Sequence, residues 1–258
     1  MTALTLTLCL LPAAHPHKPH EPAPVEWTVD GVKRHALVFA PKHPSANPPL
    51  VFAFHGHGGS AKESAQHFHI QHDWPEAVVV YMQGLHTKGR TDPEGEQSGW
   101  QGKAGDEHDR DLKFFDAVLA TMREKYHVDE RRVYATGHSA GGHFTYLLAT
   151  ARPDVWAAIA PSAAANKLHK GFHPVPVFQA AGKKDTTIPF DQQLKTIEEL
   201  KAVNGCDSAG THWAKDCTLY PSTKGAPVVA FIHNGTHAYP HQAPALIVKV
   251  FREHARGK

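Results

Sequence analysis

The chemistry that this sequence could perform is concentrated around one serine. Residues 137–141 read Gly-His-Ser-Ala-Gly, between an apolar run at residues 132–136 and a helical pattern at residues 143–151. A strand-to-helix turn of this kind exposes the serine hydroxyl, and its glycines are required because side chains there would collide in the tight turn. Ser139 is therefore predicted to be a nucleophile.

A serine hydroxyl is a weak nucleophile on its own, so a base must activate it. Asp185 and His237 each follow an apolar run typical of a buried strand, and they come in the order Ser, Asp, His. Parallel strands end at one edge of a sheet, so both side chains are predicted to converge on the serine, with Asp185 accepting the Nδ1 proton of His237. His233 remains an alternative base, and Asp185 could instead be an ordinary turn residue.

A glycine-rich segment, residues 54–60 with the sequence FHGHGGS, follows a third apolar run. Glycines let the backbone approach a substrate carbonyl closely, so the N–H groups of His57 and Ala140 are predicted to form an oxyanion hole. A phosphate-binding loop is the alternative, but the segment lacks the Gly-Lys-Ser/Thr ending that such loops use.

The elements that must position these groups alternate between strand and helix. Nearly continuous apolar runs predict strands that are buried on both faces, and apolar residues at helical spacing predict the helices between them. This pattern predicts an α/β fold with a mostly parallel, doubly wound sheet and helices on both faces. Strands are predicted at residues 50–54, 77–81, 132–136, 157–161, 175–180 and 228–232, with an opening hairpin at 29–39 and helices at 111–126, 143–151, 191–203 and 244–254.

Length and charge limit the possible classes of protein. A chain of 258 residues with 41% hydrophobic content suits one well-cored domain, which we assign to residues 25–258. The formal charge of +2 comes from 27 basic and 25 acidic residues, and no basic run could neutralise a row of phosphates. Nucleic acid is therefore excluded as an expected partner, and a monomer is expected.

The amino-terminal residues differ from the rest of the chain. Residues 1–14 combine leucines with a small-residue end, which predicts a secretory signal peptide, and they are too short to span a bilayer. Residues 15–24 alternate proline with histidine and charge, which predicts an extended linker. The sequence thus predicts a secreted or periplasmic protein with no membrane span.

From Trp27 nearly to its end, the chain resembles the bacterial polyhydroxybutyrate depolymerase and feruloyl esterase group of secreted α/β-hydrolases, especially the LpqC-like esterases. The resemblance implies carboxylic ester hydrolysis without metal or organic cofactor, and the predicted Ser-His-Asp triad would perform it through an acyl-enzyme. The open cleft with aromatic walls that is predicted below favours aryl or short-chain esters. Feruloyl esters and polyesters, either polyhydroxyalkanoate or aromatic, are the substrates it suggests. Many relatives carry asparagine where this chain has Ala140, so a side-chain contact is lost there. The resemblance is carried by FHGHGGS at 54–60, VVVYMQGL at 78–85, DPEGEQSGWQ at 92–101, DRDLKFFDAVL at 109–119 and VYATGHSAGG at 133–142.

The same resemblance suggests where substrate would bind. Trp100 and Gln101 resemble the family's active-site wall, and Tyr239 lies two residues past the predicted base. The three are predicted to contact substrate, although Trp100 could instead be a packing residue that holds its loop. Only a short connection separates the strand that ends near Ser162 from the next one, so no large lid and an open cleft are expected.

Two cysteines remain after the predicted signal peptide. Cys206 and Cys217 flank a short polar loop, and in an exported protein such an isolated pair favours a disulfide. Two free thiols are the alternative.

The 22 histidines invite a metal-binding hypothesis, both at His67, His69 and His72 and at His55 and His57. However, an HExxH motif and interleaved carboxylates are missing, so surface histidines and no metal are predicted. The remaining alternatives are a non-catalytic secreted metal-binding or adhesion module and, among enzymes, a peptidase or a thioesterase, which use the same triad.

Overall fold

The computed structural model describes residues 22–43, 45–166, 168 and 171–257. Its main feature is a ten-stranded sheet in the order β1-β2-β4-β3-β7-β8-β9-β12-β11-β10. The strands are β1 Ala23–Val29, β2 Val32–Phe39, β3 Leu50–Phe54, β4 Val78–Met82, β5 Leu85–His86, β6 Ser98–Gly99, β7 Val133–His138, β8 Ala158–Ser162, β9 Val177–Gly182, β10 Thr211–Ala214, β11 Cys217–Tyr220 and β12 Val228–His233, where β5 and β6 form a separate small sheet. The helices are α1 Ala61–Phe68, α2 Ile70–Asp73, α3 Arg110–Tyr126, α4 Ala140–Ala151, α5 Phe190–Asn204 and α6 Ala243–Glu253.

The predicted fold class is confirmed by the pairing of the strands. The six central strands β4, β3, β7, β8, β9 and β12 are parallel, and antiparallel strands extend the sheet at both ends. Every residue of β3, β4 and β8 is buried, as expected for strands covered on both faces. All seven predicted strand regions and all four predicted helices are present, with boundaries shifted by a few residues.

Helices cover both faces of the sheet and divide the core into two layers. One layer contains Phe115, Phe144 and Trp156 beneath α3 and α4, and the other contains Phe68 and Phe251 beneath α1 and α6. Burying such a side chain contributes about 1.5–3 kcal/mol relative to leaving it exposed. The two layers therefore hold the helices against the sheet and fix the edge at which the parallel strands end.

A buried ion pair ties the first antiparallel strand to the helix layer. The Arg34 guanidinium donates to the Asp111 carboxylate at 2.7 Å, and both side chains are almost completely buried. The guanidinium also lies 4.2 Å from the centre of the Phe114 ring. Removing one partner of such a pair would leave a buried charge without compensation, at a cost of about 3–5 kcal/mol.

Several details of the fold differ from the sequence predictions. Strand β1 begins at Ala23, inside the predicted linker, because its ladder with β2 continues to the pair Ala23 and Val38. Helix α1 was not predicted, although Ser60 accepts a hydrogen bond from the Glu63 N–H as an N-cap. The predicted signal peptide, residues 1–14, and most of the linker lie outside the described residues.

The connection between β8 and β9 is short, as predicted. In its described part, residues 163–166, 168 and 171–176, no helix or strand is found. The Asn166 N–H donates to Thr196 Oγ1 at 2.9 Å, so this part of the connection is held against α5. Among the described helices, none is both long and apolar enough to cross a bilayer.

Candidate active site

Ser139 lies at the sharp turn between β7 and α4. Its backbone has φ 55° and ψ −117°, a conformation that a residue with a side chain rarely adopts. A Cβ atom on Gly137 would overlap the carbonyl oxygen of Gly141, and one on Gly141 would overlap that of Phe54 in the neighbouring strand β3. The two glycines thus meet the steric requirement that the motif predicted.

The three residues of the predicted triad are hydrogen-bonded in one line. The Ser139 hydroxyl is 2.9 Å from His237 Nε2, and His237 Nδ1 is 2.9 Å from Asp185 Oδ2. His237 remains partly open to solvent, with 27% of its side chain exposed, whereas the Asp185 carboxylate is buried. The arrangement allows a proton to pass from the hydroxyl to the imidazole while the carboxylate holds the imidazole in the required tautomer.

The loops that carry Asp185 and His237 are joined by backbone hydrogen bonds. The N–H groups of Lys183 and Lys184 donate to the carbonyl oxygens of His233 and Gly235, each at 2.9 Å. Because β9 and β12 are adjacent and parallel, their following loops leave the sheet side by side. This pairing explains how two residues 52 positions apart in sequence are held at hydrogen-bond distance.

Three further donors surround the Asp185 carboxylate. Oδ1 accepts the N–H groups of Thr187 and Ile188 at 2.9 Å each, and Oδ2 accepts the side-chain amide of Gln193 at 3.0 Å. Burial opposes ionisation, but the hydrogen bonds from His237 and from the backbone outweigh it and hold the pKa of Asp185 below its usual value. The carboxylate therefore stays ionised at neutral pH. Sequence reasoning missed Gln193 because a glutamine inside a helix carries no distinctive signal.

His233, the alternative base, lies away from the serine. Its Nδ1 accepts the N–H of Gly235 at 3.1 Å, and its ring packs against Phe231 at 5.2 Å between centroids. The structure therefore brings His237, and not His233, to the Ser139 hydroxyl.

A second histidine, His138, lies beside the ring of His237, and the sequence analysis gave it no role. Its Nδ1 lies 3.3 Å from the Ser162 hydroxyl, and its ring lies 5.1 Å from the His237 ring between centroids. Burial, together with the neighbouring imidazole of His237, lowers the pKa of His138 to about 4. His138 is therefore neutral at neutral pH and adds no competing positive charge beside the predicted base.

The predicted oxyanion hole is built from two N–H groups on either side of Ser139. Within the part of the chain that the structure describes, no protein acceptor takes a hydrogen bond from the N–H of His57 or of Ala140. Ala140 is the first residue of α4, where a backbone N–H has no partner inside the helix. Both groups are thus free to donate to a substrate oxygen. Their role as an oxyanion hole stays a prediction.

The loop that carries His57 is anchored by Asp92. His57 Nε2 is 3.0 Å from Asp92 Oδ2, and the same carboxylate accepts backbone N–H groups of the loop that follows it. These hydrogen bonds, that of the Glu96 N–H first, hold the pKa of Asp92 below its usual value. The Gly58 N–H also donates to the Ser98 carbonyl at 2.7 Å. Residues 92–98 therefore fix the backbone around the predicted oxyanion donor.

Trp100 and Gln101, which are predicted to contact substrate, are both packed inside the protein. Trp100 is only 6% exposed, its ring stacks on Phe144 at 5.0 Å, and its indole N–H donates to the His55 carbonyl at 2.8 Å. The packing alternative therefore holds for this residue. Gln101 is buried as well, and its side-chain oxygen accepts the N–H of Asp111 at 3.0 Å in the first turn of α3. A sequence pattern does not tell which side of a loop its residues face, and both face inward.

Tyr239 is packed against other rings and also lines a surface groove. Its ring stacks on Phe68 at 4.3 Å and meets the His138 ring edge-on at 5.6 Å, and burial raises the pKa of its phenol above its usual value. One side of the residue lines a surface groove of about 430 Å³ together with Ala238 and three histidines, His67, His69 and His241. Its predicted contact with substrate stays a prediction.

Of the histidines that the sequence offered as metal ligands, His67 lies on α1, His69 between the two helices and His72 on α2. The rings of His69 and His72 lie 5.7 Å apart between centroids. In the described residues, no group of three or more histidines, cysteines or carboxylates has the geometry to hold a metal ion.

The predicted disulfide between Cys206 and Cys217 is absent, because both residues are free thiols. The backbone of Cys206 forms an isolated antiparallel β-bridge with that of Ser222, whereas Cys217 begins strand β11 and pairs with Phe231 of β12. Ser222 is five residues beyond Cys217 in an extended segment, which corresponds to about 17 Å. A disulfide requires Cα atoms within about 7 Å, so the expected pair is not formed.

The chain is similar in sequence to one peptidase family and to several esterases. The profile of the prolyl oligopeptidase family matches residues 97–169, which include the serine turn. A bifunctional acetylxylan esterase/xylanase of Neocallimastix patriciarum is 28% identical over 196 residues, covering 74% of this chain and 27% of that protein. A putative esterase of Nocardia uniformis subsp. tsuyamanensis is 26% identical over 247 residues, covering 80% of this chain and 69% of that protein. A probable feruloyl esterase C of Aspergillus flavus is 26% identical over 185 residues, covering 68% of this chain and 64% of that protein.

Solved structures show the same fold. A ferulic acid esterase superposes with a TM-score of 0.65 at 15% identity, covering 90% of this chain and 98% of that one. An acetyl xylan esterase from Aspergillus awamori superposes with a TM-score of 0.63 at 16% identity, covering 89% and 99%. The chain therefore has the α/β-hydrolase fold, and its resemblance to the feruloyl esterase group is confirmed.

Proposed function

We propose that this α/β-hydrolase is a serine carboxylic ester hydrolase that forms an acyl-enzyme on Ser139. The observation that carries the proposal is the continuous hydrogen-bonded line from Ser139 Oγ through His237 to Asp185, with both distances at 2.9 Å. Relatives named as feruloyl and acetylxylan esterases support the choice of a carboxylic ester.

The reaction follows from the positions of these groups. His237 Nε2 takes the hydroxyl proton while Ser139 Oγ attacks the ester carbonyl, and the resulting imidazolium gives that proton to the leaving alkoxide. A water molecule then attacks the acyl-enzyme, again losing its proton to His237, and the carboxylic acid is released as Ser139 regains its hydrogen. The ionised Asp185 stabilises the imidazolium in both halves.

The negative oxygen of each tetrahedral intermediate would accept hydrogen bonds from the His57 and Ala140 N–H groups. Such donors are held in place before the reaction, so they cost no reorganisation, and losing one typically costs about 3 kcal/mol of transition-state stabilisation. Asp92 contributes to this step only indirectly, by holding the His57 ring at 3.0 Å.

The test is the variant Ser139→Ala, with Ser208→Ala as a matched control on an exposed serine between α5 and β10. Ser139→Ala should lose roughly 10⁵-fold or more in kcat on 4-nitrophenyl acetate, because only binding and oxyanion contacts remain. The control should keep full activity, and a fluorophosphonate should label the wild type at Ser139 alone. Most of the activity surviving in Ser139→Ala would contradict the serine mechanism.

Aryl and short-chain esters are the substrates we propose. The described part of the connection after β8 forms no lid, and the serine and histidine remain partly exposed, so bulky acyl groups or polymer ends can reach them. Feruloyl esters and polyesters stay candidates within this class. A panel of methyl ferulate, acetylated xylan, hydroxybutyrate oligomers and triolein should rank soluble esters above triolein, without interfacial activation.

A peptidase is the second candidate, favoured by the prolyl oligopeptidase profile on residues 97–169. The triad does not choose between an ester and an amide, because His237 can protonate either leaving group. Acyl-peptide 4-nitroanilides compared with the matching 4-nitrophenyl esters discriminate between the two. Amide turnover within tenfold of ester turnover would favour the peptidase.

We also propose that the protein is exported, from the apolar residues 1–14 and the Pro/His-rich residues that follow. Amino-terminal sequencing of the protein recovered from the periplasm or medium of the expressing cells tests this. A mature protein that retains residues 1–14 inside the cell would contradict it.

A further inference from the structure

One arginine spans the two loops that flank the triad. Arg90 Nη2 donates to the Thr187 carbonyl at 2.6 Å, and Arg90 is exposed. Its neighbour Gly89 lies directly against the ring of His57, the predicted oxyanion donor. Thr187 in turn donates its N–H to Asp185. The guanidinium therefore lies at the rim of the catalytic cleft, between the oxyanion side and the acid side.

The same rim carries three more cations. Lys88 precedes Gly89, and Lys183 and Lys184 precede Asp185; all three side chains are exposed. Among the described residues, neither these lysines nor Arg90 takes part in an ion pair. Four positive charges without an ion-pair partner thus lie on two loops, those of Arg90 and Asp185, that are joined by the hydrogen bond from Arg90 to Thr187.

The nearby carboxylates do not form ion pairs with these cations. Asp185 and Asp92 are buried and already engaged by His237 and His57. Lys183 lines a surface groove that also contains Asp216, but no ion pair joins them, and the exposed Glu94 and Glu96 of the Arg90 loop likewise lack a cationic partner among the described residues. The cations of the rim therefore remain available to pair with an anionic group at the entrance to the site.

We propose that this rim, with Arg90 at its centre, recognises a carboxylate on the substrate, so that the enzyme favours esters that carry an anionic group close to the scissile bond. Arg90 uses one of its five N–H donors on the uncharged Thr187 carbonyl. A carboxylate can replace or join that contact with two parallel charge-assisted hydrogen bonds, which are stronger than a hydrogen bond to a neutral acceptor. The proposal rests on the ester hydrolase function proposed above.

The effect is expected to be moderate because the rim is open to solvent. Exposed ion pairs contribute little individually, so loss of Arg90 should raise KM for an anionic ester about two- to fivefold and leave a neutral ester unchanged. The lysines act at longer range and mainly attract the substrate, so their contribution should fall as salt screens the charges.

Two pairs of esters with the same shape but different charge test the site. The first pair is 4-acetoxybenzoate and 4-acetoxybenzamide, with the charge on the leaving side; the second is monomethyl terephthalate and methyl 4-carbamoylbenzoate, with the charge on the acyl side. For each pair the ratio of kcat/KM, anionic over neutral, is measured for the wild type, Arg90→Gln and Lys183→Gln/Lys184→Gln at 20 mM and 500 mM NaCl. Lys125→Gln is the matched control, because Lys125 is exposed and lies at the end of α3 that leads to the opposite edge of the sheet.

The ratio for at least one pair is expected to fall about two- to fivefold in Arg90→Gln at low salt, to fall less in the lysine variant, and to stay at the wild-type value in Lys125→Gln. High salt should reduce the difference between the wild type and the lysine variant. Equal ratios for the wild type and Arg90→Gln with both pairs would overturn it. If no ester of either pair is turned over by the wild type, the proposed function itself fails, which is a different result.

Discussion

The catalytic edge of the sheet and the outer hairpin β10–β11 are built in contrasting ways. At the catalytic edge, side chains from segments far apart in sequence converge, and most of them make more than one contact. Asp185 alone accepts hydrogen bonds from four groups, and Trp100 both stacks on Phe144 and holds the His55 carbonyl. The outer hairpin is held by its strand ladder and by packing on one face, and most of its side chains are at least partly exposed.

This contrast explains where function can be located. A strained residue such as Ser139 is kept in place only when its surroundings leave it no alternative, and the catalytic edge provides that rigidity through contacts from several elements. The hairpin has no such requirement, so substitutions there should have smaller effects on stability and none on catalysis.

The largest difference between the two regions is expected from their tryptophans. Trp100→Ala should cost about 3–5 kcal/mol of unfolding free energy, because it leaves a cavity against Phe144 and Phe54 and removes the hydrogen bond to His55. In the hairpin, Trp213 lies partly exposed beneath the Lys249 ammonium, 4.0 Å from the ring centre. Trp213→Ala should therefore cost only about 1 kcal/mol.

Urea unfolding of the two variants measures the difference, and kinetics on methyl ferulate and 4-nitrophenyl acetate define the role of Trp100. Because the indole is buried, any loss of activity should affect both esters equally. A similar stability loss in both variants would contradict the contrast. A KM raised for ferulate alone in Trp100→Ala would restore the substrate wall that the sequence suggested.

The next effect is a pH dependence at the catalytic edge. The folded pKa of His138 is about 4, below the value near 6.5 of an unfolded histidine, so the unfolded state binds more protons between these values. The stability that His138 contributes is therefore complete above about pH 6.5 and declines as the pH falls toward 4, by up to about 3 kcal/mol. Burial lowers the pKa of His55 and His143 too, so they act in the same direction.

Unfolding free energies at pH 7.5 and pH 4.5 test this dependence in the wild type, in His138→Gln and in His212→Gln, an exposed histidine of the hairpin. His138→Gln should lose less stability between the two pH values than the wild type, and His212→Gln should match the wild type. An unchanged pH dependence in His138→Gln would show that His138 is not held neutral by its surroundings.

The catalytic edge could be predicted from sequence because its constraints are local and steric. Gly137 and Gly141 are fixed by a turn that admits no side chain, and Asp185 and His237 follow strands whose order along the chain places them at one edge. Parallel, buried strands also have continuous apolar runs in the sequence, so the sheet could be predicted with few errors.

Other features could not be predicted, for a different reason. The roles of Trp100 and Gln101 depend on which side of a loop the side chain faces, and a single sequence does not record that. Gln193 and His138 act through contacts with residues distant in sequence, so neither has a local pattern. The pairing of Cys206 with Ser222 depends on strand register, which the short loop between the cysteines does not reveal.

The smallest effect is expected from Cys217 in the outer hairpin and Cys206 just before it. Cys206 pairs with Ser222, which is five residues along the chain from Cys217 at the start of β11, so the two cysteines are held apart. The folded protein should therefore contain two thiols and have the same melting temperature with and without a reductant. Burial raises the pKa of the Cys217 thiol to about 11, so in the native state iodoacetamide should alkylate it more slowly than the less buried Cys206. After unfolding without reductant, mass spectrometry should find both cysteines alkylated, and Cys206→Ser should cost less than about 1 kcal/mol. A peptide pair joined through Cys206 and Cys217, or a melting temperature lowered by several degrees in reductant, would show that the hairpin depends on a covalent tie and would remove the contrast with the catalytic edge.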